Sequence, residues 1–187
     1  NWAIIRGERE TGVTVMKMNQ GLDTGDIVSQ EAVPILEDDD ARSLSDMLSM
    51  VGAELLLQAV DRAEASGEIV GRRQDDALAT QAPPLSKEDG MIDWSRGTEE
   101  LVCLVRGTVP WPGAYTPTDR GNLRILRAEP LWPQAVESIR DGAKMPPGTV
   151  GLAIRSHGFA VRTRDGFLLV TEAQAPFQTR IAWNLPA

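Results

Sequence analysis

A chain of 187 residues with 42% hydrophobic and 25% charged side chains has the composition of an ordinary globular protein, and about 150 residues already suffice to hide about 70% of the surface an unfolded chain exposes. No apolar run approaches the roughly 20 residues that span a bilayer, no basic-then-apolar leader opens the sequence, and the single cysteine, Cys103, rules out an internal disulfide or a multi-thiolate metal site. The net charge of −8 is uneven: residues 1–95 carry 8 Lys/Arg against 19 Asp/Glu, and residues 96–187 carry 11 against 8. The second half is the basic one, and every cation in it but Lys144 is an arginine, a side chain suited to planar recognition of phosphate, with an ordinary solvated surface as the alternative.

Residues 11–18 and 27–35 are rich in β-branched side chains and partly alternate, which predicts two strands. The loop between them, N-Q-G-L-D-T-G-D, contains Gly21 and Gly25, whose backbone freedom lets a short loop hold side chains above a sheet. Carboxylates at Glu37, Asp38, Asp39 and Asp40 precede Leu44, Met47, Leu48, Val51, Leu55, Ala59 and Val60, spaced as one face of a helix of about six turns. Gly67 supplies its stop. From residue 72 to about 94 the periodicity fades into Pro83-Pro84 and S-K-E-D-G, the mark of a linker.

A second helix is expected with Thr98 as its cap, Glu99 and Glu100 in its first turn, and Leu101, Val102, Leu104 and Val105 as apolar residues. Cys103 falls within this run as a small buried hydrophobe with no assigned chemistry. Beyond P-W-P-G, five short strands are expected at 114–117, 123–128, 149–154, 159–164 and 167–172. Closure into an OB-like barrel is the economical way to remove their exposed edges. Alternation in 159–164 sets Arg162 and Arg164 with Ala160 on a solvent face. Trp94 and Trp111 are expected to pack between domains rather than to act as stacking platforms, and His157, in R-S-H-G, to lie in a turn, with contact to a phosphate or a base as the alternative.

Three segments, in this order, resemble the methionyl-tRNA formyltransferase family: E-T-G-V-T-V-M-K-M running into G-L-D-T-G-D (10–26), A-P-P-L-S-K-E-D-G-M-I-D-W (82–94) and R-G-T-V-P-W-P-G-A-Y-T (106–116). The resemblance implies an α/β fold, the end of a Rossmann-like formyltransferase domain over residues 1–74, then a linker over 75–95 and an all-β OB-like tRNA-binding domain over 96–187. It implies transfer of a formyl group from 10-formyltetrahydrofolate to the amino group of methionyl-initiator-tRNA, with no metal, in a cytoplasmic enzyme that is monomeric at full length. Asp23 would be the catalytic aspartate, steadying a histidine, with Gly21, Leu22, Thr24, Gly25 and Asp26 bordering the folate pocket. The partner asparagine and histidine are expected upstream of Asn1, which is taken as a truncation point, so the chain alone is expected to be inactive and poorly stable.

Considered as residues alone, Asp23 and Asp26 suit an Asx-type turn in which the carboxylates accept local N–H groups. Candidates for tRNA phosphates are Lys87, Arg106, Arg120, Arg124, Arg155, Arg162 and Arg164. Two other functions fit the same segments: a related folate-dependent formyltransferase acting on another amine, such as a sugar nucleotide, and a non-catalytic OB-like tRNA-binding module.

Overall fold

The computed structural model describes residues 1–176 and 181–182. In chain order the elements are α1 (Trp2–Ile5), β1 (Glu10–Met16), β2 (Ile27–Pro34), α2 (Ala41–Ser66), α3 (Thr98–Gly107), β3 (Ala114–Thr118), β4 (Gly121–Pro130), α4 (Pro133–Glu137), β5 (Val150–Ile154), β6 (Gly158–Arg162), β7 (Phe167–Gln174) and β8 (Ile181–Ala182). They form two compact units, one of Glu8–Pro83 and the other of Asn1–Gly7 with Pro84–Ala187.

In the unit of Glu8–Pro83, β1 and β2 pair antiparallel from Glu10↔Pro34 to Val15↔Ser29, and a register shift follows at Val15/Met16 as the loop begins. α2 packs on this pair. Its start is fixed by the acidic run: the Asp40 carboxylate accepts from Arg42 N and Ser43 N, and the Ser43 hydroxyl accepts from Asp40 N. Such a capping box satisfies orphan donors of the first turn. At the other end Gly67 takes a left-handed φ of 76° and donates its N–H to Ala63 O, a conformation that glycine adopts without steric cost. The buried stripe is Ala41, Leu44, Leu55 and Ala59, whereas Val60, expected on that face, is exposed together with Met50, Leu56 and Leu57. Ile27 and Arg72 exchange backbone hydrogen bonds of 2.8 Å in each direction, so Arg72 adds an isolated bridge to the pair.

The other unit is built on β7. Its strand order is β3-β4-β7-β6-β5, all antiparallel, with β8 added to β7. The long β4–β5 connection carries α4, a Greek-key type of arrangement. Successive β7 side chains point to opposite faces. Leu168 and Val170 enter a core with Leu101, Leu104 and Val105 of α3 and Ile125 of β4, while Phe167 and Leu169 enter a second core with Leu131, Ala135 and Ile139. A strand covered on both faces shows as a continuous apolar run, and each such fully buried side chain contributes about 1.5–3 kcal/mol. Among the described residues β3 and β5 form no ladder with each other, so the described pairings leave the sheet open instead of closing it into the expected barrel.

Three local expectations are corrected in this unit. Thr98 is not the cap of α3 but its first helical residue; Gly97 occupies the cap position. The Asp165 carboxylate, from the turn after β6, accepts from Thr98 N at 2.8 Å and does the capping from 67 residues away. Second, Ala160 and Arg162 do not share a solvent face, because the layer around Leu131–Ile139 covers that side: Ala160 is fully buried and the Arg162 guanidinium lies 5.3 Å over the Phe167 ring. Third, Trp94 packs within this unit, against the α3 core, and donates its indole N–H to Thr116 Oγ1 at 3.1 Å.

Candidate functional site

The loop from Lys17 to Asp26 is closed by Lys17 N donating to Asp26 O at 2.9 Å. Inside it the Asn19 side-chain oxygen accepts from Gly21 N at 3.0 Å and from the Thr24 hydroxyl at 2.9 Å. Gly25 passes so close to the Lys17 carbonyl that a Cβ there would collide with backbone, which no side-chain adjustment relieves. From residues 71–74 comes the remaining clamp, the Gln74 amide, which donates to Asp23 O at 2.8 Å and to Gly25 O at 2.7 Å.

Asp23 sits at the crest of this loop with φ 53°, in the left-handed region, and its side chain is exposed. Aspartate tolerates this conformation better than most residues but not freely. The Asx-turn alternative is not what the loop uses: among the described residues neither Asp23 nor Asp26 accepts a local N–H through its carboxylate, and Asn19 does that work. The Asp23 carboxylate is thereby left exposed above a held backbone. Leu22, beside it, is 89% exposed, Gly21 and Thr24 are exposed, Gly25 is buried and Asp26 is half-buried. Gln74 was missed in the sequence because nothing in its neighbourhood distinguishes a clamp from a polar linker residue.

The seven candidate cations separate into groups. Arg164 is held by Glu100 at 2.9 Å, and the half-buried Arg162 donates to Gly166 O at 2.8 Å. Glu100, gripped first by Arg96 and then by the Gly97 N–H and Arg164, has its carboxyl held below the usual range. Arg106 is half-buried in the last turn of α3, Arg155 is exposed at the β5–β6 turn, and Arg120 is exposed at the β3–β4 turn. Lys87 and Arg124 come together in one open groove, with Trp111, Pro112, Tyr115 and Asn122. His157 lies in a turn, its Nδ1 3.0 Å from Arg155 O and its ring edge-on to Trp132. Burial pushes the half-buried Cys103 thiol above its ordinary range. Among the described residues no helix is long and apolar enough to cross a membrane.

A two-stranded sheet with a glycine-flanked aspartate loop, followed by a separate antiparallel sheet domain, defines the class. The family model for the formyl transferase C-terminal domain matches residues 84–185, and that for formyl transferase matches residues 1–60. The chain belongs to the formyl transferase family. It is 47% identical over 181 residues to the methionyl-tRNA formyltransferase of Citrifermentans bemidjiense and 42% identical over 183 residues to that of Geotalea uraniireducens. In both cases 97% of this chain is covered, and the chain spans only 53% and 54% of those proteins' lengths. Among solved structures, HypX from Aquifex aeolicus in complex with tetrahydrofolic acid superposes with a TM-score of 0.68 at 23% identity, over 97% of this chain and 30% of that one. The N-formyltransferase of Helicobacter canadensis superposes with a TM-score of 0.65 at 18% identity, over 90% of this chain and 57% of that one.

Proposed function

We propose that these residues serve an enzyme that moves a formyl group from 10-formyltetrahydrofolate to the amino group of methionyl-initiator-tRNA, with the first unit completing a Rossmann-like catalytic domain and the second forming an OB-like domain that grips tRNA. The observation that carries this reading is the Asp23 loop: Gln74 and Asn19 hold its backbone and the Thr24 hydroxyl, and the exposed Asp23 carboxylate is consumed by neither. The 40–47% identity to methionyl-tRNA formyltransferases supports the tRNA acceptor over a sugar nucleotide.

In this reaction the methionyl nitrogen attacks the formyl carbon and negative charge collects on the formyl oxygen. Collapse then breaks the bond to the folate nitrogen, which takes the proton the amine gives up. Donors must face the developing oxyanion. A carboxylate beside an imidazole orients it and favours its protonated form, and that is the role of Asp23. Exposed Leu22 and the backbone of Gly21, Thr24, Gly25 and Asp26 border the folate.

The test replaces the matching segment of the Citrifermentans bemidjiense relative with residues 1–187. The chimera is expected to formylate methionyl-initiator-tRNA, and Asp23→Ala within it to lower kcat by about a hundredfold or more while tRNA affinity stays unchanged. A chimera that melts like the relative yet transfers no formyl group would overturn the reaction assigned here.

A further inference from the structure

We propose that the groove between the segment Lys87–Met91, the Trp111 loop and the β3–β4 hairpin binds one unpaired nucleotide of RNA, its base against the Trp111 indole and its flanking phosphates against Lys87 and Arg124. This rests on the tRNA-directed reading above and names where in the second unit a single-stranded part of such an RNA would lie.

The groove is assembled from three pieces of one unit. Tyr115 pairs with Arg124 and Pro117 with Asn122 across the β3–β4 ladder. Directly opposed residues share a face, and positions 115, 117, 122 and 124 therefore all lie on the face away from buried Ala114 and Ile125. The Trp111 loop is closed onto the end of α3 by Gly113 N donating to Thr108 O at 2.9 Å. Gly113 has φ 77°, and a Cβ there would lie 2.9 Å from an Arg124 terminal nitrogen, so the guanidinium lies across bare backbone. The third wall runs along the outer edge of β3: Ile92 N donates to Tyr115 O at 2.8 Å, and Asp89 is turned back to accept from Ser86 N and its hydroxyl. Lys87 is left exposed at the rim.

Three features select the occupant. Trp111 is 52% exposed although its loop is anchored, and an exposed indole on a fixed backbone is a stacking platform for any base, useful only where the base face is open, as in single strands. Neither Lys87 nor Arg124 has a carboxylate within ion-pair distance among the described residues, in contrast to Arg96, Lys144 and Arg164. Two unneutralised cations favour an anionic chain over the proline-rich peptides that also use Trp and Tyr grooves. The groove is open, with a volume of about 250 Å³, a trough for a stacked base and not the enclosed cavity that buries a whole small ligand.

The test measures binding of the 187-residue chain to initiator tRNA, to a single-stranded oligoadenylate and to a blunt RNA duplex across a salt series. Trp111→Leu, which keeps apolar bulk without a π face, is expected to weaken tRNA and oligoadenylate binding about tenfold with the salt slope unchanged, and Trp111→Phe to restore most of it. Lys87→Ala and Arg124→Ala are each expected to flatten the slope by about 0.7 for oligoadenylate. Thermal melts matching the parent confirm that the variants fold. Normal oligoadenylate binding by Trp111→Leu, or a duplex that competes as well as the single strand, overturns the stacking site while leaving the tRNA reading intact. A parent chain that binds none of the three RNAs overturns both.

Discussion

Removing the Gln74 side chain isolates the clamp on which the Asp23 loop depends. Gln74→Ala deletes two hydrogen bonds, to Asp23 O at 2.8 Å and Gly25 O at 2.7 Å. Each such bond is worth about 0.5–1.5 kcal/mol net, and on a loop this exposed the lower part of that range applies, so the closed loop loses about 1–2 kcal/mol. That corresponds to roughly five- to thirtyfold more frequent opening. The reporter is the Lys17 amide, whose bond to Asp26 O closes the loop. By hydrogen exchange it is expected to lose protection by that factor, while amides in the centre of α2 keep theirs. In the chimera the same substitution should lower kcat with little change in tRNA affinity, because a misplaced carboxylate costs rate and leaves the RNA surface untouched. Unchanged Lys17 protection in Gln74→Ala would refute the clamp and leave the orientation of Asp23 without a cause.

Two further predictions concern the second unit. Asp165 caps α3 across the fold, and its carboxyl is held below the usual range chiefly by the Thr98 N–H. A carboxyl depressed on folding stabilises the protein above the unfolded value, about 3.9, and the contribution is lost as pH falls through the lower folded value; Asp165→Ala, which removes the acceptor, should therefore be less stable at neutral pH by the about 1 kcal/mol of a lost cap, and should flatten the decline in melting temperature below about pH 4. Arg164→Ala and Arg162→Ala should leave the salt dependence of tRNA binding as it is, since Glu100 and Gly166 O already occupy those guanidinium groups; a flattened slope in a salt titration would show that they reach phosphate after all.

What the sequence disclosed and what it withheld divide along contact range. The paired strands around the Asp23 loop, the long helix with its Asp40 start and Gly67 stop, and the order of short strands after P-W-P-G all rest on local patterns, and β1, β2, α2 and β3–β7 occupy those places within a few residues. Long-range contacts were invisible. The cap of α3 comes from Asp165, the clamp on Asp23 from Gln74 some 51 residues away, and the burial of Ala160 from a layer that carries no strand signal. Alternation in residues 159–164 assigned a solvent face that holds only if one side of the sheet is bare. The gathering of Lys87 and Arg124 beside half-exposed Trp111 depends on the β3–β4 register, which cannot be read from spacing alone. Asp23 itself was legible as a candidate through the family resemblance of G-L-D-T-G-D, whereas its left-handed backbone and unbonded carboxylate required coordinates.

The most direct measurement is the single-turnover rate of formyl transfer to methionyl-initiator-tRNA by the chimera carrying residues 1–187, with Asp23 and with alanine in its place. The account predicts product from the first and a loss of about two orders of magnitude or more in the second at equal tRNA occupancy. Equal rates from both would contradict it.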